Sequence, residues 1–333
     1  MTNATRISLG STDLSVHPLC LGGNVFGWTA DRETSFRILD AYVSEGGNFF
    51  DTADGYSRWV PGHSGGESET IIGEWLRTRS DRDDLVISTK VFGHPEFKGL
   101  GGANIKAACE ASLRRLQTDH IDVYYAHHDD PDVPMEESLS AFSELVDAGK
   151  VRVLGASNFS AERLREAREL SEQHSLASYQ VSQDHYNLME RGYETRLRPV
   201  LEQYGMAEVP YYALASGFLS GKYRPGSEQA ESGRGGAAGR WLKGHCSEYL
   251  DDRGLAVLDV LDELAAKYDA AVASIALAWL AAQPTVGAVI ASARTPEQLP
   301  ALVGVAQVSL TGDEVARLTS ASAPAENHVT PGQ

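Results

Sequence analysis

The chain has 333 residues, 42% of them hydrophobic and 23% charged, with a formal net charge of −17. This composition is ordinary for a globular protein, and the acidity excludes nucleic acid and an anionic membrane surface as partners, since both are held through basic patches. Cys20, Cys109 and Cys246 are too few and too far apart for a disulfide framework or a metal motif. Residues 1–6 lead into no apolar core of a signal peptide, and no run of about 18 apolar residues occurs, so the expectation is a cytoplasmic protein.

Residues 5–16 alternate in polarity about Gly10-Ser11, which predicts a short hairpin ahead of the main fold. Apolar strands are expected at 18–22, 48–51, 85–90, 121–127, 151–156, 178–183, 207–213 and 286–291. Helical spacing fills the intervals at 33–45, from 67 or 68 through 76, and at 102–116, 135–148, 161–173 and 194–204. Residues 215 to about 250 break the rhythm with Gly, Ser, Arg and Pro; a connection that long is usually functional or disordered. Helices are expected again near 252–268 and 272–282, from Pro296, and over 310–322, the last opened by Thr311 with Asp313 and Glu314 in its first turn.

Eight strand–helix alternations without a linker predict a single α/β domain over residues 1–322. Its expected form is a (β/α)8 TIM barrel with an N-terminal hairpin, a long loop after the seventh strand and an extra C-terminal helix. Residues 323–333 read as a loose tail. An open doubly wound sheet would want a glycine fingerprint after the first strand, and the run from Leu21 to Phe26 does not supply one.

In such a barrel, chemistry is built at the C-terminal ends of the strands. Asp51, Lys90 and His127 stand at those ends, and Tyr56 follows Asp51 closely. A free tyrosine, with a pKa near ~10, is a slow acid at neutral pH. An ammonium beside it stabilises the phenolate; Lys90 suits that role, with Asp51 holding Lys90. His127 is suited to hydrogen-bond and orient a carbonyl oxygen. His127 and His128 with Asp129 and Asp130 raise a metal-dependent hydrolase as a rival reading. It is set aside because adjacent strand residues are expected to point to opposite sides.

The ordered set Asp51-Thr52-Ala53-Asp54-Gly55-Tyr56, Ser68 to Gly73, Lys90, Asp122 to His127 and Gly155 to Phe159 resembles the aldo-keto reductase superfamily. Pro210 to Ala215, Gly221-Lys222 and Ser292 to Leu299 resemble the bacterial branch that also contains the potassium-channel β-subunits. The resemblance covers residues 5–322 and implies reduction of a small-molecule carbonyl substrate by NADP(H), with NAD(H) as the other candidate and no metal. It implies Tyr56 as the acid, supported by Asp51, Lys90 and His127. Ser157, Asn158 and Gln180 resemble the residues that bind the nicotinamide carboxamide, and Tyr211 the aromatic that stacks on its ring. Leu214, Ser216, Gly217 and Lys222 match pyrophosphate-binding positions, and the stretch with Arg234, Gly235, Gly236, Arg240 and Lys243 a belt over them. Arg294 and Gln298 match the adenosine end, where a guanidinium suits a 2′-phosphate.

Three departures stand out. Ser292 replaces a frequent Gly, Ala301-Leu302 replaces a common Glu-Asn pair, and residues 57–67 form a longer spacer than usual. That spacer is expected to overhang the barrel mouth. It would bring Trp59 beside Phe26, Trp28 and Phe92, with His128 also in the substrate pocket. The channel relatives raise a second rival, a nucleotide-sensing binding protein with slow turnover.

Overall fold

The computed structural model describes residues 6–224, 246 and 248–324. Eight parallel strands form one sheet: β1 Leu19–Gly22, β2 Phe49–Asp51, β3 Val86–Val91, β4 Ile121–Ala126, β5 Val151–Ser157, β6 Tyr179–Gln183, β7 Ala207–Glu208 and β8 Val289–Ala291. Each strand pairs with its neighbour in the chain, and β8 pairs with β1. The remaining seam is closed by backbone bonds, Glu208 N to Thr285 O at 2.7 Å and Gly287 N to Glu208 O at 2.8 Å. The sheet is a (β/α)8 barrel.

Helices α1 Arg32–Ser44, α2 Glu67–Leu76, α3 Gly102–Leu116, α4 Met135–Asp147 and α5 Ala161–His174 follow the first five strands. The sixth crossover is split into α6 Tyr193–Arg196 and α7 Arg198–Tyr204. A single helix over 194–204 was expected. Pro199 has no N–H to continue the ladder and sits in the first turn of α7, so the helix restarts at Arg198 after the N-cap Leu197. Then come α8 Asp252–Tyr268, α9 Val272–Ala281, α10 Pro300–Val303 and α11 Gly312–Ala321. Thr311 caps α11 through a capping box with Glu314, as its sequence implies.

Strand alternation sorts the side chains into two apolar sets. Phe50, Ile87, Tyr124 and Leu154 join the helices in an outer layer. Phe49, Val86, Val123, Val153, Val181 and Ile290 form a second cluster with Leu9, Leu14 and Val16. Those last three come from the hairpin Ile7–Ser8 and Ser15–Val16, which closes the end where the strands begin. Gly155 is required in β5, because a Cβ there would lie 2.3 Å from the Tyr125 ring.

The seventh strand is much shorter than the apolar run that predicts it. The run 207–213 yields only Ala207–Glu208, because Pro210 cannot donate; Val209 N and Tyr211 N still bond β6 and the residue after it, through Ser182 O and Asp184 O. A small hairpin, Gly93–His94 with Phe97–Lys98, follows β3 and was not expected. Among the described residues no single helix is long and apolar enough to cross a membrane.

Candidate active site

A cleft of about 1380 Å³ opens at the C-terminal ends of the strands. Its lining includes Asp51, Tyr56 and His127 at one end, then Ser157, Asn158, Tyr211, Leu214, Ser216, Gly217 and Lys222, and reaches Arg294 and Gln298 at the other. Trp28, Trp59, Phe92 and His128 also line it. The proposed belt residues Arg234, Gly235, Gly236, Arg240 and Lys243, and most of the 323–333 tail, lie outside the described residues.

Lys90 stands behind the cleft wall, at 0% exposure. Its ammonium has three N–H donors and meets three oxygens: Asp51 Oδ2 at 2.6 Å, Thr52 O at 2.7 Å and Tyr56 OH at 3.1 Å. Asp51, 1% exposed, also accepts through Oδ1 from Ser88 Oγ at 2.9 Å and Gln183 Nε2 at 3.0 Å. A buried ion pair is costly unless its remaining sites are filled, and here they are. The Tyr56 hydroxyl has one contact for its own proton within this group, a long 3.3 Å approach to Asp51 Oδ2. That proton is therefore available to an acceptor in the cleft. Burial, reinforced by the Asp51 carboxylate, holds Tyr56 well above the ordinary phenol range, so it keeps its proton at neutral pH.

Burial, with the charge of Lys90 behind it, holds His127 well below the usual imidazole range. The ring is neutral, with its centroid 6.1 Å from that of Tyr56. Its Nδ1 is buried without a hydrogen-bond partner among the described residues.

Asn158 adopts φ +59° immediately after β5, in the left-handed region that asparagine tolerates better than most residues. Its amide donates to His127 O at 3.0 Å and Ser157 Oγ at 2.9 Å, and its Oδ1 accepts from Tyr211 OH at 2.8 Å. The Tyr211 ring is stacked on His185, with centroids 5.5 Å apart. Beyond it Ala215, Ser216 and Gly217 run in succession through positive φ, which bends the backbone sharply beside the cleft. At the far end Gln298 Oε1 accepts from Arg294 N at 2.8 Å. The Arg294 guanidinium makes no hydrogen bond or ion pair among the described residues. Ser292, a departure from the family pattern, turns its hydroxyl to Asn24 Oδ1 at 2.6 Å. A Cβ on Gly22 would stand 2.5 Å from the Ser292 Oγ.

Several expectations need correction. Gln180 does not line the cleft; Gln183 does, and it bonds Asp51. The register with β5 slips between Tyr179 and Val181, so Gln180 sits at a bulge, and only Gln183 stands at the C-terminal end of β6. Phe26 is not on the rim: it is fully buried in the outer core, where its carbonyl accepts from Ser57 Oγ. His127 and His128 do not point to opposite sides, since β4 ends at Ala126 and their rings stack at 5.1 Å. The neighbouring carboxylates are otherwise engaged. Asp129 takes both Arg163 Nε and Nη2, at 2.7 and 2.9 Å, and Asp130 accepts from Leu100 N at 2.8 Å. No group of three or more His, Cys, Asp or Glu is placed to hold a metal among the described residues.

Trp59 is 46% exposed and meets Trp28 edge-on at 5.6 Å and Tyr56 at 6.1 Å, so it is a rim residue rather than core packing. Phe92 leans on His128 at 5.4 Å. Asp54, whose carboxyl burial pushes up to about 7, receives Gly93 N at 3.3 Å and Phe92 N at 3.4 Å and so positions that loop.

Fold and site define a (β/α)8 barrel with a hydrogen-bonded Asp51–Lys90–Tyr56 cluster at its C-terminal mouth. The sequence profile of the Aldo/keto reductase family matches residues 18–323. The chain is 34% identical over 332 residues to the "Uncharacterized oxidoreductase YrpG" of Bacillus subtilis (strain 168), covering 97% of each chain. It is 32% identical to the "Aryl-alcohol dehydrogenase GME11368" of Pestalotiopsis microspora, over 93% of this chain and 80% of that one. It is 33% identical to a "Probable voltage-gated potassium channel subunit beta" of Oryza sativa subsp. japonica, over 88% of each. The chain belongs to the aldo/keto reductase family of oxidoreductases.

Proposed function

We propose that the protein is an NADP(H)-dependent carbonyl reductase in which Tyr56 is the general acid. The observation that carries this reading is the Tyr56 hydroxyl held 3.1 Å from Lys90 Nζ, itself 2.6 Å from Asp51 Oδ2. A bound nicotinamide supplies the hydride for the carbonyl carbon. Tyr56 gives its proton to the developing alkoxide, a stronger base than phenolate, and regains one from water. Lys90 stabilises the phenolate as it forms. Neutral His127 donates a hydrogen bond to the carbonyl oxygen. The product is the alcohol.

The donor set suits a dinucleotide. Ser157, Asn158 and Gln183 would hold the nicotinamide end beside Tyr211. Leu214, Ser216, Gly217 and Lys222 would meet the pyrophosphate. Arg294 and Gln298 would meet the adenosine end, and the uncommitted guanidinium of Arg294 favours a 2′-phosphate. The aromatic rim and the relative named for aryl alcohols support an aryl carbonyl.

Tryptophan fluorescence titration with NADPH and with NADH tests the cofactor reading. NADPH is expected to bind about tenfold tighter or more. Equal affinities would remove Arg294 as the phosphate reader. Binding of neither would sink the reductase reading.

A further inference from the structure

The cleft reverses the sign of the molecule. The chain carries 29 Lys and Arg against 46 Asp and Glu. The cleft lining instead has four cations, Arg58, Lys98, Lys222 and Arg294, against the carboxylates of Asp51 and Glu297. Asp51 is already matched by Lys90. Lys222 and Arg294 stand at the dinucleotide end of the proposed site, which leaves Arg58 and Lys98 without a role there.

These two converge on one turn at the aromatic end. Arg58 follows Tyr56 by two residues, and its Nη1 donates to Gly93 O at 2.5 Å. Lys98 is the register partner of Gly93 in the small hairpin. The Arg58 charge reaches the imidazoles of His127 and His128, helping to hold both low. Neither cation forms an ion pair with a carboxylate among the described residues, although carboxylates abound elsewhere. Both are exposed, and the flat rings of Trp59 and Phe92 line the same end.

We propose that the cleft selects carbonyl substrates whose aryl body bears an anionic group, in the first instance a carboxylate, bound by Arg58 and Lys98 while the carbonyl meets Tyr56. This rests on the reductase reading above. Charge-assisted hydrogen bonds to a guanidinium and an ammonium supply the preference. Because both cations are on the rim, salt weakens it, and it amounts to about tenfold rather than thousandfold.

The probes are 4-carboxybenzaldehyde and its uncharged methyl ester, compared by kcat/KM with NADPH at low and at molar salt. The parent protein is expected to favour the acid about tenfold at low salt, mostly in KM, and far less at high salt. Arg58→Gln and Lys98→Gln should each lower the acid-to-ester ratio, and together bring it close to one. If Arg58 only ties its loop to Gly93, Arg58→Gln slows both probes alike and the ratio stays put, which overturns the proposal. A parent ratio at or below one does the same while leaving the reductase reading intact. Terephthalate binding, followed by tryptophan quenching against dimethyl terephthalate, separates the two readings from the other side. Selective terephthalate binding without turnover of either aldehyde would sustain the anion site and sink the reductase.

Discussion

The two mouths of the barrel are built by the same strands and share almost no chemistry. Along β3 the inward positions run Val86, Ser88, Lys90; along β2 they run Phe49, Asp51; along β6, Val181, Gln183. The first member of each series packs against the hairpin residues Leu9, Leu14 and Val16, and the last joins the polar group around Asp51. One end is an apolar plug that stabilises; the other is a polar group held in burial by its own hydrogen bonds. A two- to four-residue step along a strand separates the two tasks.

That contrast is most sharply broken at Lys90. In Lys90→Met the volume is kept, but Asp51 is left buried without its cation. The expected loss of stability is about 3–5 kcal/mol, measured by urea unfolding, together with loss of carbonyl reduction. An unfolding midpoint equal to that of the parent would mean that the pair is not buried as described.

At the plugged end His17 offers a pH test. It is 1% exposed, its Nδ1 accepts from Leu19 N at 3.0 Å, and burial pushes it down to about 4 from 6.5. Between those values the unfolded chain binds the extra proton, so stability is full above pH 6.5 and falls as pH drops towards 4. His17 contributes roughly 3 kcal/mol to that fall. His17→Gln should flatten the pH dependence of unfolding in that window. A slope equal to the parent's would assign the effect to other groups.

The smallest effect lies far from both mouths. Thr311→Ala removes the cap of α11 and should cost about 1 kcal/mol with kcat/KM unchanged. A change in kcat/KM would show that α11 is coupled to the site.

Much of this contrast was legible in the sequence, because the barrel strands are short apolar runs that end in polar residues. Asp51, Lys90 and His127 mark strand ends on pattern alone, and Thr311 with Glu314 marks a helix start. What escaped depends on facts that a run of residue types does not carry. Gln180 and Gln183 are the same residue type on one strand, and the bulge at Gln180 and the strand end, once known, favour Gln183. His128 joins His127 on one side because the strand stops a residue earlier than its apolar pattern. The hairpin that carries Lys98 to the cleft consists of pairs of residues too short to show alternation. Arg58 reads as a loop cation until Gly93 is seen to face it.

The most direct test of the central claim is Tyr56→Phe, with single-turnover carbonyl reduction and NADPH affinity measured on the same preparation. The phenyl ring keeps the rim packing and loses the proton. Reduction should fall by about 10²–10⁴-fold while the NADPH dissociation constant and the urea midpoint stay near those of the parent. Reduction at the parent's rate would contradict the assignment of Tyr56 as the acid.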